Sequence, residues 1–372
     1  MGKIKRFTAL LGALLLLCPV DAECMVTGEA YSVGASAAIV IEAESGEVLF
    51  AQNIHKRLPM ASTTKIMTAL LTLEQPDLQT TFTVNSKAIR VEGSSMGLQE
   101  GDTVSLYALA VGMLLSSGND AANAAAVKIA GSAESFAVLM NRRASQLGMN
   151  NTNFVTPSGL DAEEHYSTAF DMALLGRAAM NNALFHEIAS SRRLSVSFGN
   201  PPYNRSLLNH NRLLSLYTDA VGVKTGFTKK AGRCLVSAAE RDGVRLICVT
   251  LNCPDDWNVH RTLFERYFNL TGVEELAHEA VTLPVVGGTA HSVTAEQQST
   301  LYHTVVEEKQ ETITARVFCR SFYYAPIKKG DILGKIIYYN EERAVGESNL
   351  IACATVETTA PESKAHWWQF WK

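Results

Sequence analysis

The chain has 372 residues, of which 47% are hydrophobic and 19% are charged, and its formal net charge is −4. These values are typical of a folded protein and exclude a disordered chain, and the length favours roughly two domains. The small negative charge gives no reason to expect a nucleic-acid partner.

Residues 1–22 have the features of a secretory signal peptide. A basic stretch at residues 3–6 precedes an uncharged run over residues 7–20, and Ala22 supplies a small side chain at the expected cleavage position. The uncharged run is shorter than the roughly 20 residues of a membrane-spanning helix, although an uncleaved anchor is the alternative interpretation. We therefore predict export, with a mature chain that begins near Glu23 and acts in the cell wall or at the outer face of the cytoplasmic membrane.

The cysteine pattern predicts no metal site. One of the seven cysteines, Cys18, would leave with the signal peptide, so six would remain (7 − 1 = 6). They form no C-x-x-C pair, which argues against zinc, and we predict no cofactor. Export would permit disulfides, but the sequence does not determine their pairing. The remaining cysteines are Cys24, Cys234, Cys248, Cys253, Cys319 and Cys353.

Secondary-structure signals predict one α/β domain over residues 30–272. Residues Ala37–Phe50 have the pattern of a β-hairpin with Gly46 in its turn. The middle of the chain is helical in pattern, and strand-like runs return before a closing helix. Because strands from both ends flank the helical middle, we expect one sheet that joins the two ends. The predicted helices are Ser62–Leu73, Leu106–Leu115, Ala121–Ile129, Ser135–Leu147, Thr168–Asn181 and Val259–Phe268, and the later strands are Ala220–Lys224, Cys234–Ala239 and Val244–Leu251.

A change of pattern after the closing helix predicts a small all-β domain over residues 273–358. The alternative is that its strands extend the first sheet. The tail, residues 359–372, is rich in aromatic side chains, and two interpretations stay open: peripheral contact with a membrane, or a frayed end. The predicted strands are Val281–Leu283, Glu311–Val317, Ile332–Tyr338 and Leu350–Val356.

Three short motifs occur in a fixed order. Ser62-Thr63-Thr64-Lys65 begins a predicted helix, Ser117-Gly118-Asn119 lies between two predicted helices, and Lys224-Thr225-Gly226 ends a predicted strand. Each has an ordinary structural explanation, as a helix cap, a turn and a strand end. Together, in this order and in these settings, they match the pattern of penicillin-binding proteins and class A β-lactamases, which has Asp in the middle of the second motif where this chain has Gly118.

The spacing of the first motif predicts a serine nucleophile with a lysine base. Residues three apart share a helix face, so Lys65 can reach the Ser62 hydroxyl and take its proton. Burial, together with positive charge from Lys224, would lower the pKa of Lys65 and so provide its neutral form. We expect Ser117 to relay a proton to the leaving amine, and Asn119 to orient Lys65 and the substrate amide.

Backbone groups complete the predicted site. The N–H groups of Ser62 and Phe227 would form an oxyanion hole for the tetrahedral intermediate. The strand edge formed by Lys224, Thr225 and Gly226 would bind the substrate beside it.

These motifs make the chain resemble the D-alanyl-D-alanine carboxypeptidases, the low-molecular-weight penicillin-binding proteins that trim bacterial cell-wall peptide stems. A glycine in the middle of the second motif is usual in that family. The resemblance covers residues 35–268 and, more weakly, the β domain. Supporting stretches are Ser158-Gly159-Leu160-Asp161, His165-Tyr166-Ser167-Thr168-Ala169 and Gly222-Val223-Lys224-Thr225-Gly226-Phe227-Thr228, and Ala231-Gly232-Arg233-Cys234 is similar to sporulation-type members.

The resemblance implies a β-lactamase/transpeptidase-like α/β domain followed by a small all-β domain, and a D,D-carboxypeptidase that forms an acyl-enzyme on Ser62. Its substrates would be the pentapeptide stems of peptidoglycan, and β-lactam antibiotics would inhibit it. The terminal carboxylate of the substrate would meet Thr225 and, as in many relatives, an arginine. Distance along the chain after the third motif favours Arg261 for that role. The preceding residues 255–258 contain no arginine, which leaves a different carboxylate clamp open as the alternative.

Other functions stay open on the sequence alone. A class A β-lactamase would need a glutamate base in an E-x-x-x-N pattern, which residues 153–167 lack. A D,D-endopeptidase would use the same groups to cut cross-links between stems. A catalytically silent wall-binding module is the non-enzymatic alternative, and the intact motifs argue against it.

Overall fold

The computed structural model describes residues 31–306 and 312–359. The predicted signal peptide, two of the cysteines (Cys18 and Cys24) and the aromatic residues of the tail lie outside these ranges. Among the described residues, no helix is both long enough and apolar enough to cross a membrane.

A five-stranded antiparallel sheet forms the centre of the first domain. Its strands are β1 (Ala37–Glu42), β2 (Val48–Gln52), β7 (Ala220–Thr228), β8 (Gly232–Arg241) and β9 (Val244–Leu251). Their order is β2-β1-β9-β8-β7, so the N-terminal hairpin pairs with the C-terminal strands through β1 and β9. This confirms the prediction that one sheet joins the two ends of the domain, and it leaves β7 at an edge.

Helices cover both faces of this sheet. They are α1 (Lys65–Leu73), α2 (Leu106–Leu114), α3 (Asn119–Ala130), α4 (Ala133–Gln146), α5 (Ala169–Met180), α6 (Ala183–Ser190), α7 (Leu213–Leu216) and α8 (Asp256–Phe268). Helix α5 packs on one face within the cluster that also contains α1, and α8 packs on the other face. All six predicted helices are present, with ends displaced by at most three residues. A 3₁₀ turn, Ala61–Thr64, precedes α1 and contains the serine of the first motif.

The sequence did not predict a peripheral four-stranded sheet, and it did not predict α6 or α7. The strands of this sheet are β3 (Thr81–Thr83), β4 (Thr103–Ser105), β5 (Arg193–Gly199) and β6 (Pro202–Leu208), in the order β3-β4-β5-β6. Two of these strands have only three residues each, too few to show an alternating apolar pattern.

The C-terminal residues form a small β domain with its own apolar core. Its strands are β10 (Thr271–Leu276), β11 (Val281–Val286), β12 (Ser292–Gln297), β13 (Leu301–Val306), β14 (Ile313–Cys319), β15 (Tyr323–Tyr324), β16 (Ile332–Asn340) and β17 (Arg343–Ala352). Strands β10 and β13 pair with each other, and the other six form a sheet in the order β14-β16-β17-β12-β11-β15. The bounds of the last predicted strand, Leu350–Val356, are wrong, since β17 spans Arg343–Ala352. The first half of β17 is polar and has no apolar pattern that would predict a strand, but it pairs with β16.

Candidate active site

The three motifs converge where the start of α1, the α2–α3 junction and strand β7 meet. The half-buried Ser62 lies in the 3₁₀ turn, and the Lys65 ammonium donates a hydrogen bond to its Oγ at 3.0 Å. The same Nζ donates to Asn119 Oδ1 and to the Ser158 carbonyl oxygen, both at 2.6 Å. The nucleophile and base expected from the sequence are therefore within proton-transfer distance, and the second motif orients the base.

Burial favours the neutral, basic form of Lys65. Its side chain is 0% exposed. Burial, followed by the charge of Lys224, lowers the pKa of Lys65 well below its ordinary value of 10.5, and Asp120 opposes this shift. Because deprotonation is made easier, Lys65 can accept the proton of Ser62.

The lysine of the third motif is also buried, and its Nζ donates to the Thr225 carbonyl oxygen at 2.9 Å. Burial lowers the pKa of Lys224 to about 7. Near neutral pH this lysine therefore keeps part of its positive charge, which acts on the base.

Strand β7 passes directly beside the nucleophile. Gly226 permits this approach, because a Cβ atom at that position would lie 3.0 Å from the backbone nitrogens of Ser62 and Thr63. Within the described residues, no strand pairs with the outer edge of β7. The half-buried Thr225 and the 66%-exposed Phe227 lie along this strand. An open strand edge of this kind can pair with an extended peptide.

The turn that carries the second motif is strained and tightly packed. Ser117 is buried and has a φ of 58°, in the left-handed region that residues with side chains seldom occupy. A Cβ atom at Gly118 would lie 2.7 Å from Asp120 Oδ1 and 3.0 Å from the Met96 backbone nitrogen, so a larger residue would force one of these groups to shift. The packing gives a physical reason for glycine at the middle of this motif.

Asp120, which the sequence analysis does not single out, holds the loop beside the base. Its carboxylate accepts hydrogen bonds from Ser95 Oγ and from the backbone N–H groups of residues 96–98. The Asn119 amide donates to the same loop, at the Glu92 carbonyl oxygen, at 2.6 Å. An acidic residue in the first turn of a helix is common, so the sequence contains no signal that marks this one as part of the site.

A loop before α5 locks the nucleophile turn in place. Gly159, at φ 80°, approaches so closely that a Cβ atom there would overlap the Ala61 carbonyl oxygen. His165 Nδ1 accepts a hydrogen bond from the Val155 N–H at 2.9 Å, so its Nε2 carries the proton and donates to Thr64 Oγ1 at 2.9 Å. The neutral imidazole therefore acts as a positioning group for the turn that contains the nucleophile.

Two buried neutral histidines predict an acid-sensitive fold. Burial lowers the pKa of His165 from 6.5 to about 4, and that of His260, which is held between Ser237 and Thr250, from 6.5 to about 3. Between pH 6.5 and 4 the unfolded chain binds more protons, so stability is complete above this window and is lost as the pH falls through it. At pH 5, each histidine should lower the free energy of unfolding by about 2 kcal/mol relative to pH 7.

Urea unfolding at pH 7 and pH 5 measures this loss. In His165→Gln, the side-chain amide can both accept and donate, but it does not titrate, so the pH-dependent loss should shrink by about 2 kcal/mol. An unchanged pH dependence in this variant would contradict the assignment.

Within the described residues, no hydrogen bond or ion pair joins Arg261 to the three motifs, so its proposed role stays a prediction. Its side chain is exposed on α8, one residue from the completely buried His260, which faces the sheet. The inner face of α8 carries the buried side chains, and Arg261 is not among them. The position of Arg261 along the chain favoured it as the carboxylate-binding arginine, but successive helical residues point in different directions.

The comparisons with known proteins agree with this geometry. The D-alanyl-D-alanine carboxypeptidase family profile matches residues 24–255, and the profile of the C-terminal domain of penicillin-binding protein 5 matches residues 277–358. The chain is 30% identical over 365 residues to the D-alanyl-D-alanine carboxypeptidase DacF of Bacillus subtilis, covering 93% of this chain and 92% of that protein. It is 34% identical over 363 residues to the D-alanyl-D-alanine carboxypeptidase DacC of Escherichia coli, covering 92% and 90%.

Solved structures show the same relationship. Penicillin-binding protein 5 from Haemophilus influenzae superposes with a TM-score of 0.64 at 29% identity, covering 88% of this chain and 98% of that one. The D-alanyl-D-alanine carboxypeptidase DacD of Francisella tularensis gives a TM-score of 0.64 at 25% identity, covering 88% and 95%. From its family profile, its relatives and its fold, the chain belongs to the D-alanyl-D-alanine carboxypeptidase family of serine peptidases.

Proposed function

We propose that this protein removes the terminal D-alanine from peptidoglycan pentapeptide stems through an acyl-enzyme on Ser62. The observation that carries the assignment is the buried Lys65 Nζ, 3.0 Å from Ser62 Oγ. Burial of a lysine is costly to the fold, so a buried lysine with a lowered pKa marks a candidate functional site. Here its partner is a serine hydroxyl beside the open edge of a strand.

In the first half-reaction, Ser62 Oγ attacks the carbonyl carbon of the last peptide bond, and Lys65 takes the hydroxyl proton. The backbone N–H groups of Ser62 and Phe227 stabilise the tetrahedral oxyanion. When the C–N bond breaks, the proton taken up by Lys65 passes through the Ser117 hydroxyl to the amine of the departing D-alanine, which returns Lys65 to its neutral form. Water then attacks the ester and gives a proton to Lys65, which passes it to Ser62 Oγ as the shortened stem leaves.

The substrate peptide lies against β7 as an added strand. Support comes from the free outer edge of β7 and from the contact between Gly226 and the nucleophile turn. This pairing would place the scissile carbonyl over Ser62 and the terminal residue toward Thr225.

The organisation of the whole chain is also a proposal. We infer a cleaved signal peptide over residues 1–22, a catalytic domain over residues 30–272 and a β domain over residues 273–358. The separate apolar cores of the two folded parts support this division. Export, membrane contact through the tail and a role in sporulation rest on the sequence patterns alone.

Product analysis on a synthetic pentapeptide stem tests the function. Wild-type protein should release one equivalent of free D-alanine and a tetrapeptide, and Ser62→Ala should release neither. A cross-linked stem dimer, offered in parallel, measures the competing endopeptidase activity. Cleavage of the dimer without release of D-alanine would favour the endopeptidase, and binding of stems without any product would favour the wall-binding alternative.

A further inference from the structure

The end of β8 that lies beside the substrate edge carries an arginine that the proposed mechanism does not use. In the antiparallel pairing of β7 with β8, Thr225 faces Leu235 and Phe227 faces Arg233. Cross-strand partners point to the same side of a sheet, as do residues two apart, so Arg233 shares a face with Thr225. The two are diagonal neighbours, a separation of roughly 7–8 Å that a long side chain can span.

The structure holds this arginine from two sides. Arg233 Nη2 donates to Asp256 Oδ1 at 2.6 Å, and its guanidinium carbon lies 5.3 Å from the centre of the Trp257 ring. Asp256 is 2% exposed and begins α8, whereas the Arg233 side chain is 40% exposed. In the described part of the chain, Asp256 is the only hydrogen-bond partner of the guanidinium. Nε is buried without a partner, so the donors that a ligand would meet are the remaining N–H groups of the two Nη nitrogens.

The other cations near β7 lack this combination of placement and support. Arg261 lies on the outer side of α8, and Lys224 is buried against the Thr225 carbonyl. Lys229 and Lys230 are in the turn between β7 and β8, where neither makes a hydrogen bond or ion pair with a described residue. Among these cations of the described ranges, Arg233 alone is both partly accessible and held in place on the face of Thr225.

A carboxypeptidase must distinguish the end of a chain from a bond in its middle, and the distinguishing group is the carboxylate of the last residue. The planar fork of a guanidinium can bind both carboxylate oxygens. Because Asp256 and Trp257 order the arginine before the substrate arrives, less side-chain freedom is lost on binding. The Asp256 carboxylate offsets part of the charge of Arg233 but leaves its donor geometry intact.

We propose that Arg233, together with the Thr225 hydroxyl, receives the terminal carboxylate of the substrate and so restricts the enzyme to chain ends. Asp256 and Trp257 are positioning residues for this arginine. The inference rests on the proposed function and names the residue that determines specificity at the same site.

Two thioester substrates with the same D-alanyl acyl group test the proposal. One releases D-thiolactic acid, which has a free carboxylate, and the other releases the amide of D-thiolactic acid. Arg233→Gln should lower kcat/KM for the acid-ended thioester by about 10- to 100-fold and leave the amide-ended thioester nearly unchanged. Arg233→Lys keeps the charge but not the fork, and we expect an intermediate loss.

Arg261→Gln is the matched comparison, since it removes the arginine that chain position favours. It should affect neither substrate, and a selective loss in this variant instead would transfer the role to Arg261. Because Arg233→Gln leaves Asp256 buried without its partner, the double variant Arg233→Gln/Asp256→Asn, which removes both charges, repeats the test without an unpaired carboxylate.

Equal loss on both substrates, or no loss on either, would overturn the assignment of Arg233 while the acyl-enzyme mechanism stands. Wild-type protein that hydrolyses neither thioester would overturn the proposed function, and this inference with it. The two failures are therefore distinguishable in one experiment.

Discussion

Penicillin should acylate wild-type protein once, on the peptide that contains Ser62, and should leave Ser62→Ala unlabelled. The Ser62 hydroxyl lies 3.0 Å from Lys65 Nζ and beside the open edge of β7. Alanine removes the attacking oxygen, and loss of a catalytic serine lowers turnover by about 10⁶-fold in a well-studied serine protease. Intact-mass measurement and peptide mapping of the drug-treated proteins give the result.

The fold should survive this change. Ser62 is half-buried, and the only side-chain hydrogen bond that the structure records for its hydroxyl is the one from Lys65. Circular dichroism and thermal unfolding of Ser62→Ala provide the control. An adduct that persists in the folded variant, or that maps to another peptide, would show that the nucleophile is elsewhere.

Lys65→Arg should lower the rate of acylation by about 10²-fold or more, the usual scale of general-base catalysis. Arginine keeps the positive charge but cannot lose its proton near neutral pH. Stopped-flow or quenched labelling with penicillin measures the acylation rate constant directly. A variant that acylates at the wild-type rate would exclude Lys65 as the base.

The pH dependence of the acylation rate should follow the titration of Lys65. Burial, together with the charge of Lys224, lowers the pKa of Lys65, so neutral lysine is present above that lowered pKa and disappears as the pH falls through it. Acylation by wild-type protein should therefore decline on the acidic side. The residual activity of Lys65→Arg should lack this decline, because arginine does not titrate in the range.

Local sequence patterns were sufficient for the elements that carry the chemistry. The spacing of Ser62 and Lys65 predicts their contact because helical geometry alone brings residues three apart onto one face. The hairpin and the closing strands predict the shared sheet because their apolar patterns are long enough to recognise. The three-residue strands β3 and β4 and the polar half of β17 carry no such pattern, and pairing with neighbouring strands determines them.

The parts of the site that the sequence does not determine all depend on contacts between distant segments. Lys65 meets Asn119 across 54 residues and the Ser158 carbonyl across 93 residues, and no local spacing encodes either approach. The same dependence on distant contacts explains why the sequence alone favoured Arg261 and did not identify Arg233. Arg261 follows the third motif at a suitable chain distance but faces outward from α8, whereas Arg233 reaches the face of Thr225 because of the register between β7 and β8. The sequence by itself determined the order of the motifs and the contact between Ser62 and Lys65, because these depend on helix and strand periodicity. Only the tertiary structure decided which side chains surround them, because that depends on how the helices and the sheet pack.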